Sequence, residues 1–277
     1  MKIDSHQHFW QYDIARHQWI TPQMRAIRHN FLPHDLINIL KINGVEGTVA
    51  VQVDQTEQET NYLIGLANDF PFIKGVVGWV DFQAKDIEER LDYYSSFPKL
   101  KGFRHIVQSE PDPEFLLGSN FLNGISNLQK HNFTYDLLIV EKQLPVANIF
   151  VKKFPNQKFI IDHIAKPRIN IGQFEPWAKQ IREIAQNENV RCKLSGMVTE
   201  NDWNLWNESD FRPYLDVVFE AFGPSRLVFG SDWPVCMLAA SYGQVMEIVQ
   251  NYFQQLSEAE KAQIWGKNAI NFYGLKV

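Results

Sequence analysis

Eight short apolar runs, most of them rich in β-branched residues, recur along this chain and are separated by stretches with helical periodicity. That alternation is typical of a parallel sheet covered by helices. The runs cover residues 2–6, 47–53, 75–80, 102–106, 133–139, 158–163, 190–195 and 226–231. Eight is the strand number of a (β/α)8 barrel, so the sequence predicts an α/β protein with a barrel of this type.

Helical patterns fill the intervals between these runs. They lie at 32–43, 57–68, 85–96, 113–130, 141–153, 177–187, 210–222 and 243–254. Helix-start signals accompany two of them, Asp112 with Pro113 and Asp210. A final segment, 257–273, begins with the capping-box spacing Ser-Glu-Ala-Glu and predicts extra C-terminal helix outside the barrel. Because the 277 residues contain no repeat, low-complexity tract or linker, we expect a single barrel domain over 1–277.

Composition excludes several classes of partner. The formal net charge is −5 and no block of like charges occurs, which argues against a nucleic acid or an anionic membrane surface. No apolar run approaches the length of a membrane span, and the N-terminus lacks the apolar core of a signal peptide. With two cysteines in the chain, a disulfide framework is also excluded. These features predict a cytoplasmic protein.

His6 and His8 are the first residues that point to chemistry. Side chains two apart on a strand share a face, so the two imidazoles can hold a divalent metal, which Asp232 after the last strand can complete or use. Alternatively, both rings only hydrogen-bond to nearby backbone. Barrel topology would gather further polar residues at the carboxyl ends of the strands. These are Arg104, His105, Asp162, His163, Lys193 and Ser195.

Five sequence blocks carry a resemblance to a known family. They read His-Gln-His-Phe-Trp at 6–10, Lys-Gly-Phe-Arg-His at 101–105 with Gln108, Asp-His-Ile-Ala-Lys-Pro at 162–167, Lys-Leu-Ser-Gly at 193–196 and Gly-Ser-Asp-Trp-Pro at 230–234. Together they resemble the amidohydrolase superfamily, and within it the sugar-lactone hydrolases typified by L-fuconolactonases and L-rhamnonolactonases. The blocks span the chain almost from end to end.

The resemblance implies a distorted (β/α)8 barrel that hydrolyses carboxylic esters, a lactonase, with Asp232 as general base. It matches His6, His8, His163 and Asp232 to a metal site, and we expect one divalent ion, zinc. The alternative is a metal-independent enzyme in which the same four groups bind the lactone by hydrogen bonds. Arg104 or His105 would donate to the oxyanion formed when water adds to the carbonyl.

Two departures from the superfamily pattern narrow this interpretation. Binuclear relatives bridge two metals with a carbamylated lysine or a glutamate on a middle strand, where this chain has Phe103-Arg104-His105. A two-metal centre is therefore disfavoured. Decarboxylases of the superfamily carry a histidine on the strand after the one that holds His163, where this chain has Ser195. That replacement favours hydrolysis.

For substrate contacts we expect six residues. They are Trp10 and Trp233 as aromatic walls, Gln52 and Asp54 at the end of the second strand, Gln108, and Lys166. Trp79 and Trp203 are assigned to the core or rim. The predicted substrate is an aldonolactone, L-fuconolactone or a related L-sugar lactone, opened to the sugar acid.

Two alternatives to a sugar lactone remain open. One is a lactone derived from an aromatic compound, of pyrone or muconolactone type. The other is a barrel that has lost catalysis and only binds a ligand. An aromatic dicarboxylate would require several arginines at the mouth, and apart from Arg104 and Arg168 only Arg25 and Arg28 are candidates.

Overall fold

Eight parallel strands form one sheet in the order of the sequence, as seen in a computed structural model that describes residues 1–276. The strands are β1 Ile3–Gln7, β2 Gly47–Val51, β3 Ile73–Gly78, β4 Leu100–His105, β5 Thr134–Leu137, β6 Phe159–Ile161, β7 Val190–Leu194 and β8 Leu227–Phe229. The predicted (β/α)8 barrel is confirmed. Every predicted run overlaps a strand, and β6 and β8 end two residues earlier than predicted because the chain turns sharply after Ile161 and Phe229.

The barrel closes between β8 and β1 just beyond the ends of those strands. The backbone N–H of Asp232 donates to the carbonyl of His6 at 2.8 Å, and the N–H of His8 donates to the carbonyl of Trp233 at 2.7 Å. Register shifts along β1, β2 and β3 add to the distortion. The closure therefore uses the same residues that carry the candidate chemistry.

Helices cover the outside of the sheet. They are α1 Pro33–Asn43, α2 Glu57–Asp69, α3 Ile87–Ser95, α4 Ser119–Ser126, α5 Leu144–Lys152, α6 Trp177–Ile184, α7 Glu208–Phe222 and α8 Tyr242–Tyr252. The predicted start at Pro113 is wrong, because the ring of Phe115 packs on His105 and Phe121 and holds the segment before α4 as a loop. Asp210 is not the first residue of α7 but lies in its first turn, where it caps Asn207.

The C-terminal segment closes the amino-terminal end of the barrel. It consists of α9 Glu258–Ala262, a π-helical turn Gln263–Lys267 and α10 Asn268–Tyr273, and it begins at the predicted cap Ser257. The helices lie outside the sheet, but Phe272, Tyr273 and Leu275 pack into a buried apolar layer inside it. Strand side chains complete that layer: Ile3, Val49, Val51, Val77, Ile160 and Val228.

A second and larger apolar core lies between the sheet and the surrounding helices. Within residues 1–276, no helix is long and apolar enough to cross a membrane.

Candidate active site

A cavity of about 480 Å³ opens at the carboxyl ends of the strands. Seven of the residues predicted for the site line it: His8, Asp54, Arg104, Gln108, His163, Lys166 and Asp232. The wall residues that the sequence did not predict include Arg16, Trp19, Gln55, Thr199 and Glu200. Trp203, assigned to core or rim, also lines the cavity.

Three imidazoles and one carboxylate converge at the floor of this cavity. The Nε2 atoms of His6 and His8 are 3.2 Å apart, and Asp232 Oδ1 lies 3.2 Å from His8 Nε2 and 3.8 Å from His6 Nε2. His163 Nε2 is 3.9 Å from the same Oδ1 atom. All four side chains are buried. The strand periodicity thus brought His6 and His8 together as predicted, and the barrel added His163 and Asp232.

The donor atoms of this cluster fit a divalent metal. His8 Nδ1 lies 2.7 Å from the carbonyl oxygen of Val51, which requires a proton on Nδ1 and leaves the Nε2 lone pair free. That lone pair faces Asp232 Oδ1, another acceptor, at 3.2 Å. A shared cation or proton removes this repulsion. Imidazole nitrogens with one carboxylate are an ordinary zinc ligand set, and an open fourth or fifth position admits water.

Asp232 is held in a left-handed backbone conformation, with φ of +59°. The carboxylate of Asp4 fixes the preceding residue, because it accepts from the Ser231 N–H at 2.9 Å and from the Ser231 hydroxyl at 2.6 Å. The hydroxyl of Tyr242 donates to Asp4 at 3.1 Å. Burial raises the pKa of Asp4 to about 6, although these hydrogen bonds oppose the rise. Asp4 was missed, yet it shares a face of β1 with His6 and that spacing was visible in the sequence.

Asp232 is ionised at neutral pH. Burial alone would raise its pKa, but the opposite charge of a protonated His163 outweighs burial, and the pKa of Asp232 lies well below the ordinary range. Burial lowers the pKa of His163 to about 4, so this imidazole is neutral. The site therefore offers a carboxylate that can accept a proton, next to the neutral imidazole of His163.

His163 sits in a strained turn and not at the end of a strand. The backbone from His163 to Lys166 has φ between +48° and +60° in four consecutive residues, directly after β6. The ring is oriented by Ser195, whose Oγ lies 2.9 Å from Nδ1. Gly196, with φ of +65°, passes so close that a Cβ there would lie 2.5 Å from Nδ1 of this histidine. Ser195 and Gly196 thus set the direction in which His163 points.

A layer of buried charges lies beside the histidines. Arg104 donates to Asp162 at 2.9 Å and to the side chain of Gln52 at 3.1 Å, and it also contacts the Gln52 carbonyl. Lys193 contacts Asp162 at 2.9 Å and Asp136 at 2.5 Å. Two cations and two carboxylates balance in this layer. Gln52 therefore orients Arg104 and does not line the cavity.

Residues 3–275 match the sequence profile of the amidohydrolase family. The chain belongs to this family. It is 38% identical to an L-fucono-1,5-lactonase of Burkholderia multivorans, over 99% of this chain and 96% of the relative. An L-fucono-1,5-lactonase of Burkholderia ambifaria is 34% identical, over 98% of this chain and 95% of the relative. A crystal structure of an amidohydrolase from Burkholderia multivorans with bound zinc superposes with a TM-score of 0.97, at 38% identity and full coverage of both chains.

In the present chain, some of the predicted site residues do not line the cavity. His105 Nε2 lies 2.6 Å from Glu110, and its Nδ1 accepts from the indole of Trp79 at 3.2 Å. The ring also stacks on Phe115. With both nitrogens engaged, His105 lies behind the cavity wall, whereas Arg104 is part of it.

Trp10 and Trp233 lie in the core of the amidohydrolase and not on its cavity wall. The indole of Trp10 donates to the carbonyl of His29 at 2.8 Å, and both tryptophans pack against Phe31. The first loop encloses them, so that each is at most 2% exposed. The indoles on the wall belong to Trp19 and Trp203.

Two ion pairs flank the mouth of the amidohydrolase cavity. Arg16 binds Asp54 through two nitrogens, at 2.9 and 3.0 Å. Lys166 lies 3.3 Å from Glu200. Sequence reasoning proposed Asp54 and Lys166 but not their partners, because Arg16 comes from the first loop and Glu200 from the loop after β7. Only the closed barrel places those loops beside each other.

Proposed function

We propose that this amidohydrolase hydrolyses a sugar lactone to the open-chain sugar acid. The observation that carries the proposal is the ionised, buried carboxylate of Asp232 at the floor of a cavity large enough for a monosaccharide lactone. Relatives named L-fucono-1,5-lactonases, similar over nearly the whole chain, support the sugar-lactone class. We propose L-fuconolactone or a related L-sugar lactone as the substrate.

In the proposed reaction, Asp232 takes a proton from water as the water oxygen bonds to the lactone carbonyl carbon. The guanidinium of Arg104, which lines the cavity, donates to the oxygen that becomes negative. Collapse of the tetrahedral intermediate breaks the bond to the ring oxygen, which receives the proton from Asp232 and becomes a hydroxyl. General-base assistance of this kind contributes roughly 10²- to 10⁴-fold to the rate.

We also propose one zinc ion held by His6, His8, His163 and Asp232. The donor atoms of His6, His8 and Asp232 lie close enough together to share an ion, and His163 Nε2 is 3.9 Å from Asp232 Oδ1. A similar amidohydrolase has been solved with bound zinc. When bound, zinc would polarise the carbonyl and lower the pKa of water.

The charges of the cavity wall favour a neutral polyhydroxylated substrate over a dicarboxylate. Among the described wall residues, the three cations Arg16, Arg104 and Lys166 are each paired with a carboxylate. A substrate carboxylate would have to displace one of these partners. Sugar hydroxyls, in contrast, can donate to and accept from the existing pairs. We therefore keep the pyrone-type lactone as the second candidate.

We assign the sugar contacts to residues that face the cavity. Gln108 Oε1 is buried without a hydrogen-bond partner and lines the wall, so it can accept from a hydroxyl. Asp54 and Lys166 offer further polar contacts. Trp19 and Trp203 supply the flat apolar surface that sequence reasoning had assigned to Trp10 and Trp233.

A panel of aldonolactones assayed by proton release tests the proposal, with 2-pyrone-4,6-dicarboxylate included for the second candidate. We expect hydrolysis of at least one L-sugar lactone and loss of at least 10²-fold in kcat on Asp232→Asn. Asp202→Asn, on a surface loop, is the matched control and should retain activity. A variant Asp232→Asn with more than a tenth of normal turnover would contradict the role of Asp232. Assays with and without chelator test the zinc proposal.

A further inference from the structure

His6 is the one ligand of the proposed metal cluster whose two ring nitrogens both face other side chains that can donate protons. Its Nδ1 lies 3.0 Å from the Nζ atom of Lys193, and its Nε2 lies 3.2 Å from Nε2 of His8. Because Lys193 also contacts Asp136 and Asp162, it is an ammonium group without a lone pair, and a doubly protonated His6 ring would point an N–H at it. The ring is therefore neutral and carries a single proton on one nitrogen or the other.

With the proton on Nε2, the two shortest side-chain contacts of the His6 ring each pair a donor with an acceptor. Lys193 donates to His6 Nδ1, His6 Nε2–H donates to His8 Nε2, and His8 Nδ1–H donates to the carbonyl of Val51 at 2.7 Å. The Lys193 ammonium then donates to two acceptors, His6 Nδ1 and Asp136, and forms an ion pair with Asp162 at 2.9 Å.

With the proton on Nδ1, the contacts are poorer. The N–H would point at an ammonium group, and its available acceptor, Asp162 Oδ1, is 3.4 Å away. Nε2 could accept from Arg104, also at 3.4 Å, while its lone pair faced that of His8. Both 3.4 Å contacts lie beyond the usual range for hydrogen bonds, whereas the alternative arrangement uses contacts of 3.0 and 3.2 Å.

We propose that Lys193 is a positioning residue that fixes His6 in the Nε2–H tautomer when no ion is bound, and thereby weakens metal binding at the cluster. The proposal rests on the metal site proposed above. His6 Nε2 is the atom that faces His8 and Asp232, so binding an ion through it requires the proton to move to Nδ1. Lys193 then loses its acceptor. Forfeiting one charge-assisted hydrogen bond should weaken zinc binding roughly 10- to 100-fold.

The tautomer can be measured directly in the wild-type protein. Long-range ¹H–¹⁵N correlation spectra of ¹⁵N-histidine-labelled, metal-free protein distinguish protonated from bare ring nitrogens, and His6→Gln assigns the signals. We expect His6 to carry its proton on Nε2 without metal and on Nδ1 after one equivalent of zinc. A metal-free spectrum with the proton on Nδ1 would overturn the proposal.

The effect of Lys193 is tested in a charge-balanced background. Asp136→Asn alone is the matched control, and the double variant Lys193→Gln with Asp136→Asn removes one charge of each sign. Measured by chelator competition, zinc should bind roughly 10- to 100-fold more tightly to the double variant than to the control. In the same double variant without metal, the proton of His6 should move to Nδ1.

Two outcomes of the variant experiment refute the idea. Unchanged zinc affinity would show that Lys193 does not oppose the ion. Tighter binding with His6 still in the Nε2–H form would assign the effect to the lost positive charge alone. If the double variant does not fold, the wild-type spectra decide. None of these measurements reads lactone hydrolysis, so a failure here and a failure of the proposed function are separate results.

Discussion

Gly196→Ala should slow turnover by displacing His163, and its destabilisation of the fold should be modest. The residue has φ of +65°, and a Cβ there would lie 2.5 Å from Nδ1 and 2.7 Å from Cγ of His163. Carbon contacts normally begin near 3.5 Å, so the imidazole must shift by about 1 Å. A displacement of about 1 Å in a catalytic constellation costs roughly 10²-fold in rate. The left-handed backbone adds about 1–2 kcal/mol of destabilisation.

Gly172→Ala is the matched control, since Gly172 has φ of +63° and a Cβ added there would meet no atom within 4 Å. Both variants should lose similar free energy of unfolding through the backbone, measured by urea denaturation. Gly196→Ala alone should lose about 10²-fold in kcat on the best aldonolactone. Equal turnover in the two folded variants would refute the view that the position of His163 is set by this glycine and matters for the reaction.

Three further results are expected. Arg104→Met should lose roughly 10²-fold or more in kcat, whereas His105→Gln should stay within a few-fold of normal, because Arg104 lines the cavity and His105 does not. Comparable losses of kcat in steady-state assays would show that His105 also acts in the reaction. Burial raises the pKa of Glu59 to about 8 from its ordinary value of 4.5, so the folded state keeps a proton that the unfolded state releases, and the free energy of unfolding should fall as pH rises from about 4.5 to about 8. Glu59→Gln should flatten that part of the urea-denaturation profile, and an unchanged slope would contradict it. Tyr273→Phe removes a 2.9 Å hydrogen bond to Asp136 and should cost about 1–3 kcal/mol in thermal or urea unfolding, whereas no loss would show that Lys193 alone satisfies this carboxylate.

The parts of the site that the sequence predicted are those governed by strand periodicity and barrel topology. His6 and His8 share a face because strand side chains alternate, and Asp232 and Arg104 meet them because the carboxyl ends of parallel strands form one face of a barrel. Strand alternation relates residues two apart, and barrel topology relates the ends of all eight strands, so both rules can be applied to a sequence alone.

The two clearest errors have different causes: the prediction for His105 ignored strand alternation, and the position of Trp10 depends on a loop path that neither rule determines. His105 follows Arg104 in β4, so the alternation that brings Arg104 into the barrel turns His105 toward the outer layer, where Glu110 and Phe115 hold it. Trp10 stands next to a strand end, but the long first loop folds over it and encloses the ring. The path of such a loop depends on packing against distant elements.

Ion pairs between residues of different loops could not be predicted from the sequence either. Arg16 and Asp54 are 38 residues apart, and Lys166 and Glu200 belong to successive loops, so no local pattern joins them. The four consecutive left-handed residues beginning at His163 include no glycine, which is the residue that would have signalled such a turn.

The helix that fills the amino-terminal end of the barrel also determines the medium around the charged layer. Tyr273 reaches Asp136 from below, and the apolar side chains around it keep water away from Lys193 and its two carboxylates. Ionic interactions weaken as the effective dielectric constant around them rises. Loosening α10 would admit water to that layer and weaken the interaction of Lys193 with His6. Substitutions in the last turn of the chain, remote from any substrate, can therefore alter how tightly the opposite end of the barrel holds an ion.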